Sequence, residues 1–224
     1  MNNLNLESIL LFLKNNYFYF LIGFLLLAVI FGSFFVYKTN ERNKIYASQE
    51  VYEEYLEEIN SFEEIDIEAL ENLSYKLKDI YDESAYSLMA DFYLVKIYFE
   101  NGEEEKALNT ILELNSTLEG ENSSKSFLRD LSRIRLASIY VNFDRFDEAR
   151  EVLIRNFDYY DSLRLEKLGD LEKEDLNPKK AEDYYNQAIE LSDNQTQINL
   201  LNFKLSSLAS VSYTHLTLPT NGLV

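Results

Sequence analysis

Residues 94–107 read LVKIYFENGEEEKA, and residues 136–149 read LASIYVNFDRFDEA. Laid over one another, they set Leu94 on Leu136, Tyr98 on Tyr140 and Ala107 on Ala149, with nine residues from tyrosine to alanine both times. Ile111 and Leu153 carry the match one turn further. A third stretch keeps the register: Leu168-Gly169 is followed by Ala181, Tyr185 and Ala188. Gly169 lies twelve residues before Ala181, as Val95 does before Ala107 and Ala137 before Ala149. It departs at one place, with Glu172 in the tyrosine position. The alanines stand 42 and 32 residues apart, close to the period of about 34 expected of a helix–turn–helix repeat.

The residue types have a packing reason. Glycine or alanine at a helix crossing lets two backbones approach, while tyrosine and leucine fill the adjacent gap. On this reading Leu94, Tyr98, Gly102, Ala107, Leu136, Ala137, Tyr140, Ala149, Gly169 and Ala181 are the packing residues of three helical hairpins. The wider first spacing has a place to go, because Leu118–Lys125 (LEGENSSK) is polar and turn-rich and reads as a loop. One such segment arises by chance in a generic helical bundle; three in register resemble tetratricopeptide repeats. The expected fold is all-α: a solenoid of tetratricopeptide-like hairpins behind one N-terminal transmembrane helix. Helical periodicity also predicts a preceding hairpin, from Tyr52, Tyr55, Leu56 and Ile59 and then Leu70, Leu73, Leu77 and Ile80. Ile198, Leu201, Phe203, Leu205 and Leu208 predict a final helix that caps the apolar edge of the last repeat.

The membrane reading comes from Asn15–Tyr37, an uncharged run between Lys14 and Lys38. Roughly 20 apolar residues cross a hydrocarbon core as a helix, and Tyr17 to Tyr37 supplies them. Tyr17 and Tyr37 are the ends of the span, each among aromatic neighbours that suit headgroup depth. The run is too long for a signal peptide and ends in Phe34-Phe35-Val36-Tyr37, which is no cleavage site. Ala28 and Gly32 form a small-xxx-small pair through which spans can associate, so a homo-oligomer is allowed. One basic residue, Lys14, precedes the run, and Lys38, Arg42 and Lys44 follow it. That local count places the C-terminal domain in the cytoplasm, although the rule governs short loops better than long domains.

The division expected is therefore a short N-terminal segment over 1–16, a transmembrane helix over 17–37 and a membrane-proximal hairpin over 38–84. Three repeats with a capping helix follow over 85–210. Residues 211–224 lack a helical period, and Val211–Asn221 resembles translated sequencing-adapter read-through, so 211–224 reads as a non-native tail; a native β-rich tail is the other reading.

Composition narrows function further. The chain carries a formal net charge of −18, which repels phosphate backbones and argues against nucleic-acid binding. There is no cysteine, and the only histidine, His215, lies in the tail. The usual nucleophiles, general bases and soft metal ligands are thus missing, and no catalytic, metal or cofactor site is expected. Glu53/Glu57 and Glu54/Glu58 place like charges one helical turn apart, which reads as a solvated face rather than a calcium site.

One span followed by an acidic domain of such hairpins resembles the bacterial YfgM family, the ancillary subunit of the SecYEG translocon. The resemblance rests on Tyr86–Val95 (YSLMADFYLV), Gly102, Ala107–Leu112 (ALNTIL) and Leu131–Ala137 (LSRIRLA), in that order behind a single span. It implies a single-pass protein of the bacterial inner membrane with a periplasmic repeat domain, against the local charge count. It also implies a non-enzymatic adaptor between the translocon and periplasmic chaperones such as PpiD. In tetratricopeptide-like geometry, Phe92, Lys96, Phe99, Ile134, Ser138 and Val141 would face a partner groove, or else belong to the core. An adaptor in cell-envelope assembly or division, not tied to the translocon, is the alternative function.

Overall fold

A computed structural model describes residues 6–61, 65–82, 84–119 and 125–215, with the side chains of 6–9 and 209–215 outside the description. Among the described residues there are nine helices and no strand. The chain divides into two compact units, 1–87 and 88–224.

The first unit holds α1 (Leu6–Ile59) and α2 (Ile67–Tyr81). At about 1.5 Å per residue, the 54 residues of α1 make a rod about 80 Å long. Residues 6–16 of the expected N-terminal segment and the span are parts of one helix, because no helix-breaking residue separates them. From Leu10 to Tyr37 its large apolar side chains lie open, with Phe24 74% and Phe35 70% exposed. A helix of this length and apolarity is able to cross a membrane. Ala28 is exposed and a Cβ added at Gly32 would meet nothing within 4 Å, so the small-residue face is open. Further along, α1 packs on α2 through Ser48, Val51 and Tyr55 against Leu70, Ser74 and Leu77. Asp66 caps α2 by accepting the Ala69 N–H at 3.1 Å, which satisfies a donor the helix leaves free.

The last turn of that unit opens α3 (Ala85–Glu100), most of which belongs to the second. Five helices and a cap follow: α4 (Glu104–Glu119), α5 (Ser126–Asn142), α6 (Phe146–Leu153), α7 (Asp161–Glu174), α8 (Pro178–Leu191) and α9 (Gln195–His215). The repeats are the hairpins α3/α4, α5/α6 and α7/α8. Ala107, Ala149 and Ala181 are completely buried, and so are Ile111 and Tyr185. Leu94, Leu136 and Leu168 are buried beside them.

Gly102 is a correction to the packing set. A Cβ there would touch nothing within 4 Å, and its φ is +76°; it makes the turn. Asp144 and Leu176 hold the same place in the next hairpins, at φ 57° and 60°. In each case the following N–H closes the turn on the carbonyl five residues before it: Glu103 to Tyr98 at 2.8 Å, Arg145 to Tyr140 at 2.9 Å, Asn177 to Glu172 at 2.7 Å. The left-handed conformation is set by that hydrogen bond, and only the first hairpin meets it with glycine.

Two further boundaries differ from expectation. Leu118 is not loop: it is fully buried near the end of α4, because its apolar side chain outweighs its polar neighbours; residues 120–124 lie outside the described residues. At the other end α9 runs on to His215, past the expected change of character at Ser210. Nothing in Val211–His215 breaks a helix, and 216–224 are outside the description.

Candidate functional site

The first helices of successive hairpins lie side by side, and the spaces between them are the site. Between α3 and α5 is a cavity of about 190 Å³ lined by Val95, Lys96, Phe99, Glu100, Arg135, Ser138, Ile139 and Asn142. Between α5 and α7 is a second of about 170 Å³, lined by Ala137, Ser138, Val141, Asn142, Leu153, Lys167 and Asp170. Ser138 and Asn142 border both. Their free donors are turned inward along α5, Ser138 Oγ to the Ile134 carbonyl at 2.9 Å and Asn142 Nδ2 to the Ser138 carbonyl at 3.1 Å. The shared wall is therefore small and neutral.

Of the six residues expected at a groove, Lys96, Phe99 and Ser138 line the first cavity and Ser138 and Val141 the second. Phe92 and Ile134 do not: they are 3% and 4% exposed, in the core. On α5 the open face is Arg135, Ser138 and Asn142, spaced by three and four, which is one step round the helix from Ile134, Ser138 and Val141. Arg135 lies with its guanidinium carbon 5.5 Å from the Phe92 ring centroid, so the buried phenylalanine becomes the platform of an arginine instead of a groove residue. Periodicity alone does not fix that rotation, because both faces carry an apolar residue.

Charge around the cavities is mostly neutralised locally. Lys96 pairs with Glu100 at 3.7 Å and Lys167 with Asp170 at 3.4 Å. Asp170 belongs to a larger cluster. Lys204 of α9 donates to Glu166 at 2.6 Å and to Asp170 at 2.7 Å, and the Tyr185 hydroxyl donates to Asp170 at 2.8 Å. Burial raises the Tyr185 pKa, and Asp170 raises it further. For Lys204 burial pulls downward, but hydrogen bonds and charge from Asp170 and Glu166 outweigh it and raise the pKa. This cluster fastens the capping helix to the last hairpin.

Two other clusters join the hairpins. Arg133 donates to both carboxylate oxygens of Glu119, at 2.9 and 2.6 Å, and to the Asn156 carbonyl at 2.9 Å. Beside it the wholly buried Asp130 accepts the Asp158 and Tyr159 N–H groups at 2.7 and 2.9 Å. Together they hold the non-helical chain that follows the short α6. Arg150 reaches from α6 to Glu172 at 2.9 Å and to Asp175 at 2.7 Å. Glu172 thus fills the tyrosine position with a charge and takes its partner from the neighbouring hairpin. Lys106 stands over Tyr98 at 5.2 Å, and eight residues on from Glu172, Lys180 approaches the carboxylate at 3.6 Å; a cation over a ring has become an ion pair.

Among the described residues no group of His, Cys, Asp and Glu is arranged to hold a metal. Residues 11–210 match the family of the tetratricopeptide repeat-like domain. The chain belongs to that family. The match enters within the apolar part of α1 and stops at Ser210, so a tetratricopeptide repeat-like chain here includes the open helix as well as the hairpins. No curated protein matches the sequence. Tetratricopeptide repeat-like domains are typically interaction modules without enzymatic activity, and two adjoining side-chain-sized cavities suit such a module.

Proposed function

We propose that this tetratricopeptide repeat-like protein is a membrane-anchored, non-enzymatic scaffold that holds segments of other proteins on the face formed by α3, α5 and α7. The observation that carries the reading is the shared border: Ser138 and Asn142 line both cavities, so an extended segment is able to occupy the two in succession. Exposed apolar side chains from Leu10 to Tyr37 supply the anchor.

The more specific reading follows the YfgM resemblance. The protein is then ancillary to the SecYEG translocon in a bacterial inner membrane and passes secreted proteins to periplasmic chaperones such as PpiD. The repeat unit lies in the periplasm, because a long translocated domain overrides the three basic residues that follow the span. Copies associate through the Ala28/Gly32 face where the membrane holds them together.

Affinity purification of the full-length protein from detergent-solubilised membranes tests this. Recovery of translocon subunits is expected; recovery of cell-wall or division enzymes in their place would refute the translocon role and leave the scaffold. A reporter active only in the periplasm, fused after Ser210, is expected to be active, and a fusion active only in the cytoplasm overturns the placement.

A further inference from the structure

Arg135 differs from every other arginine described in the second unit. Arg129, Arg133, Arg145, Arg150, Arg155 and Arg164 each hold a carboxylate at 2.6 to 3.1 Å. Among the described residues Arg135 has none, in a chain of net charge −18. Its guanidinium lies over the Phe92 ring, 5.5 Å from the centroid, and the side chain borders the α3–α5 cavity. The other two charged groups at that cavity, Lys96 and Glu100, answer each other at 3.7 Å. With no described carboxylate on it, the guanidinium fork can take a planar acceptor from outside. Burial lowers the Arg135 pKa, as expected of a desolvated cation whose counter-charge has yet to arrive.

We propose that the α3–α5 cavity receives the carboxylate side chain of an aspartate or glutamate from an otherwise uncharged, apolar segment of a partner protein, with Arg135 holding the carboxylate. Phe99 and Ile139 take the adjacent apolar side chain. This rests on the reading of the α3, α5 and α7 face as a partner groove. The source is a side chain rather than a chain end, because the second cavity continues the path beyond Ser138 and Asn142 and keeps chain on both sides of the arginine. The rest of the segment is uncharged, because a run of carboxylates would be repelled by the acidic surface. One carboxylate, set between apolar residues and desolvated on entry, gains the charge-assisted pair without that penalty.

The test is fluorescence anisotropy with the full-length protein in detergent micelles and labelled, end-blocked octapeptides of leucine, alanine and serine carrying one central residue. A central glutamate is expected to bind about tenfold more tightly than a central glutamine. Arg135→Gln erases that ratio, and Arg135→Lys, which keeps the charge and loses the fork, lowers it. Arg135→Gln breaks no ion pair and is expected to melt within a few degrees of the natural protein, the difference being the lost Phe92 contact. Ser138→Trp, which fills the common border, abolishes binding of every peptide. Equal affinity for the glutamate and glutamine peptides, still abolished by Ser138→Trp, overturns the anion anchor and leaves the groove standing. Binding indifferent to Ser138→Trp overturns both. A glutamine peptide with a free C-terminus that binds more tightly than the glutamate peptide overturns the side-chain source. Absence of binding by any peptide overturns the proposal.

Discussion

Gly169 and Tyr185 occupy one another's space. A Cβ built on Gly169 would lie 2.5 Å from two ring carbons of Tyr185, and the tyrosine is fully buried with its hydroxyl bound to Asp170 at 2.8 Å. In the earlier hairpins the same two places hold Val95 with Ile111 and Ala137 with Leu153. The third hairpin has moved bulk from one helix to the other and kept the interface full.

The exchange makes Gly169→Ala costly although alanine is the better helix former. About 1 kcal/mol of helix propensity is gained, against roughly 1–3 kcal/mol for overpacking a ring with nowhere to go. Because 2.5 Å is far inside contact distance, the overpacking falls in the upper half of that range, and a net loss of about 1–2 kcal/mol is expected in urea unfolding. The double change Gly169→Ala with Tyr185→Leu, which copies the second hairpin, is expected to recover most of the overpacking cost. Equal stability of Gly169→Ala and the natural protein would contradict the close approach.

The three hairpin turns ask for a left-handed residue and receive glycine, aspartate and leucine. Leu176 is the strained one, at φ 60° with its side chain 86% exposed. A left-handed conformation costs a side chain about 1–2 kcal/mol, and glycine gives back part of that through a freer unfolded chain. Leu176→Gly is therefore expected to stabilise by about 0.5–1 kcal/mol, seen as a melting point higher by a few degrees. Gly102→Ala is expected to lower stability by about 1 kcal/mol, from backbone strain alone.

Arg150 carries more than a surface pair. Glu172 is 1% exposed and one of its oxygens lacks a hydrogen bond, so removal of Arg150 leaves a buried carboxylate with only the more distant Lys180. Breaking such a pair from one side costs about 3–5 kcal/mol, and Arg150→Ala is expected near the lower end. Lys76→Ala, which breaks an exposed contact to Glu54 at 3.4 Å, is expected to cost under about 0.5 kcal/mol. Urea titration of the two variants side by side checks the contrast.

Acid should loosen the second unit in part through Glu119. Hydrogen bonds from Arg133 hold its carboxyl below the ordinary value of 4.5, overcoming the opposite effect of burial. A lowered folded-state pKa adds stability that is complete above the unfolded value and is lost as pH falls through the folded one. The stability difference between the natural protein and Glu119→Gln is therefore expected to be constant near neutrality and to shrink below about pH 4.5. A difference that grows on acidification would contradict the assignment.

The repeats were legible because steric packing writes itself into residue size: Ala107, Ala149 and Ala181 are small because nothing larger fits. The turn was misread at Gly102 because its function is a backbone angle, and Asp144 and Leu176 adopt that angle without advertising it. The groove was found only in part, since Phe92 and Ile134 share helices with Lys96 and Ser138 and a single step of rotation decides which face is core. Arg135 was missed for a different reason. No described carboxylate pairs with it, and the pairing that sets it apart from other arginines includes separations such as Arg150 to Glu172 that no local pattern records.

Site-specific photo-crosslinking in intact membranes reaches the central claim most directly. A photoreactive residue in place of Lys96 or Ser138, on the groove, is compared with one in place of Lys179 on the exposed side of α8. Adducts to translocon or chaperone subunits from positions 96 and 138, and none from 179, are what a partner groove on α3, α5 and α7 predicts. Adducts from 179 alone, or equal adducts from all three positions, would contradict it.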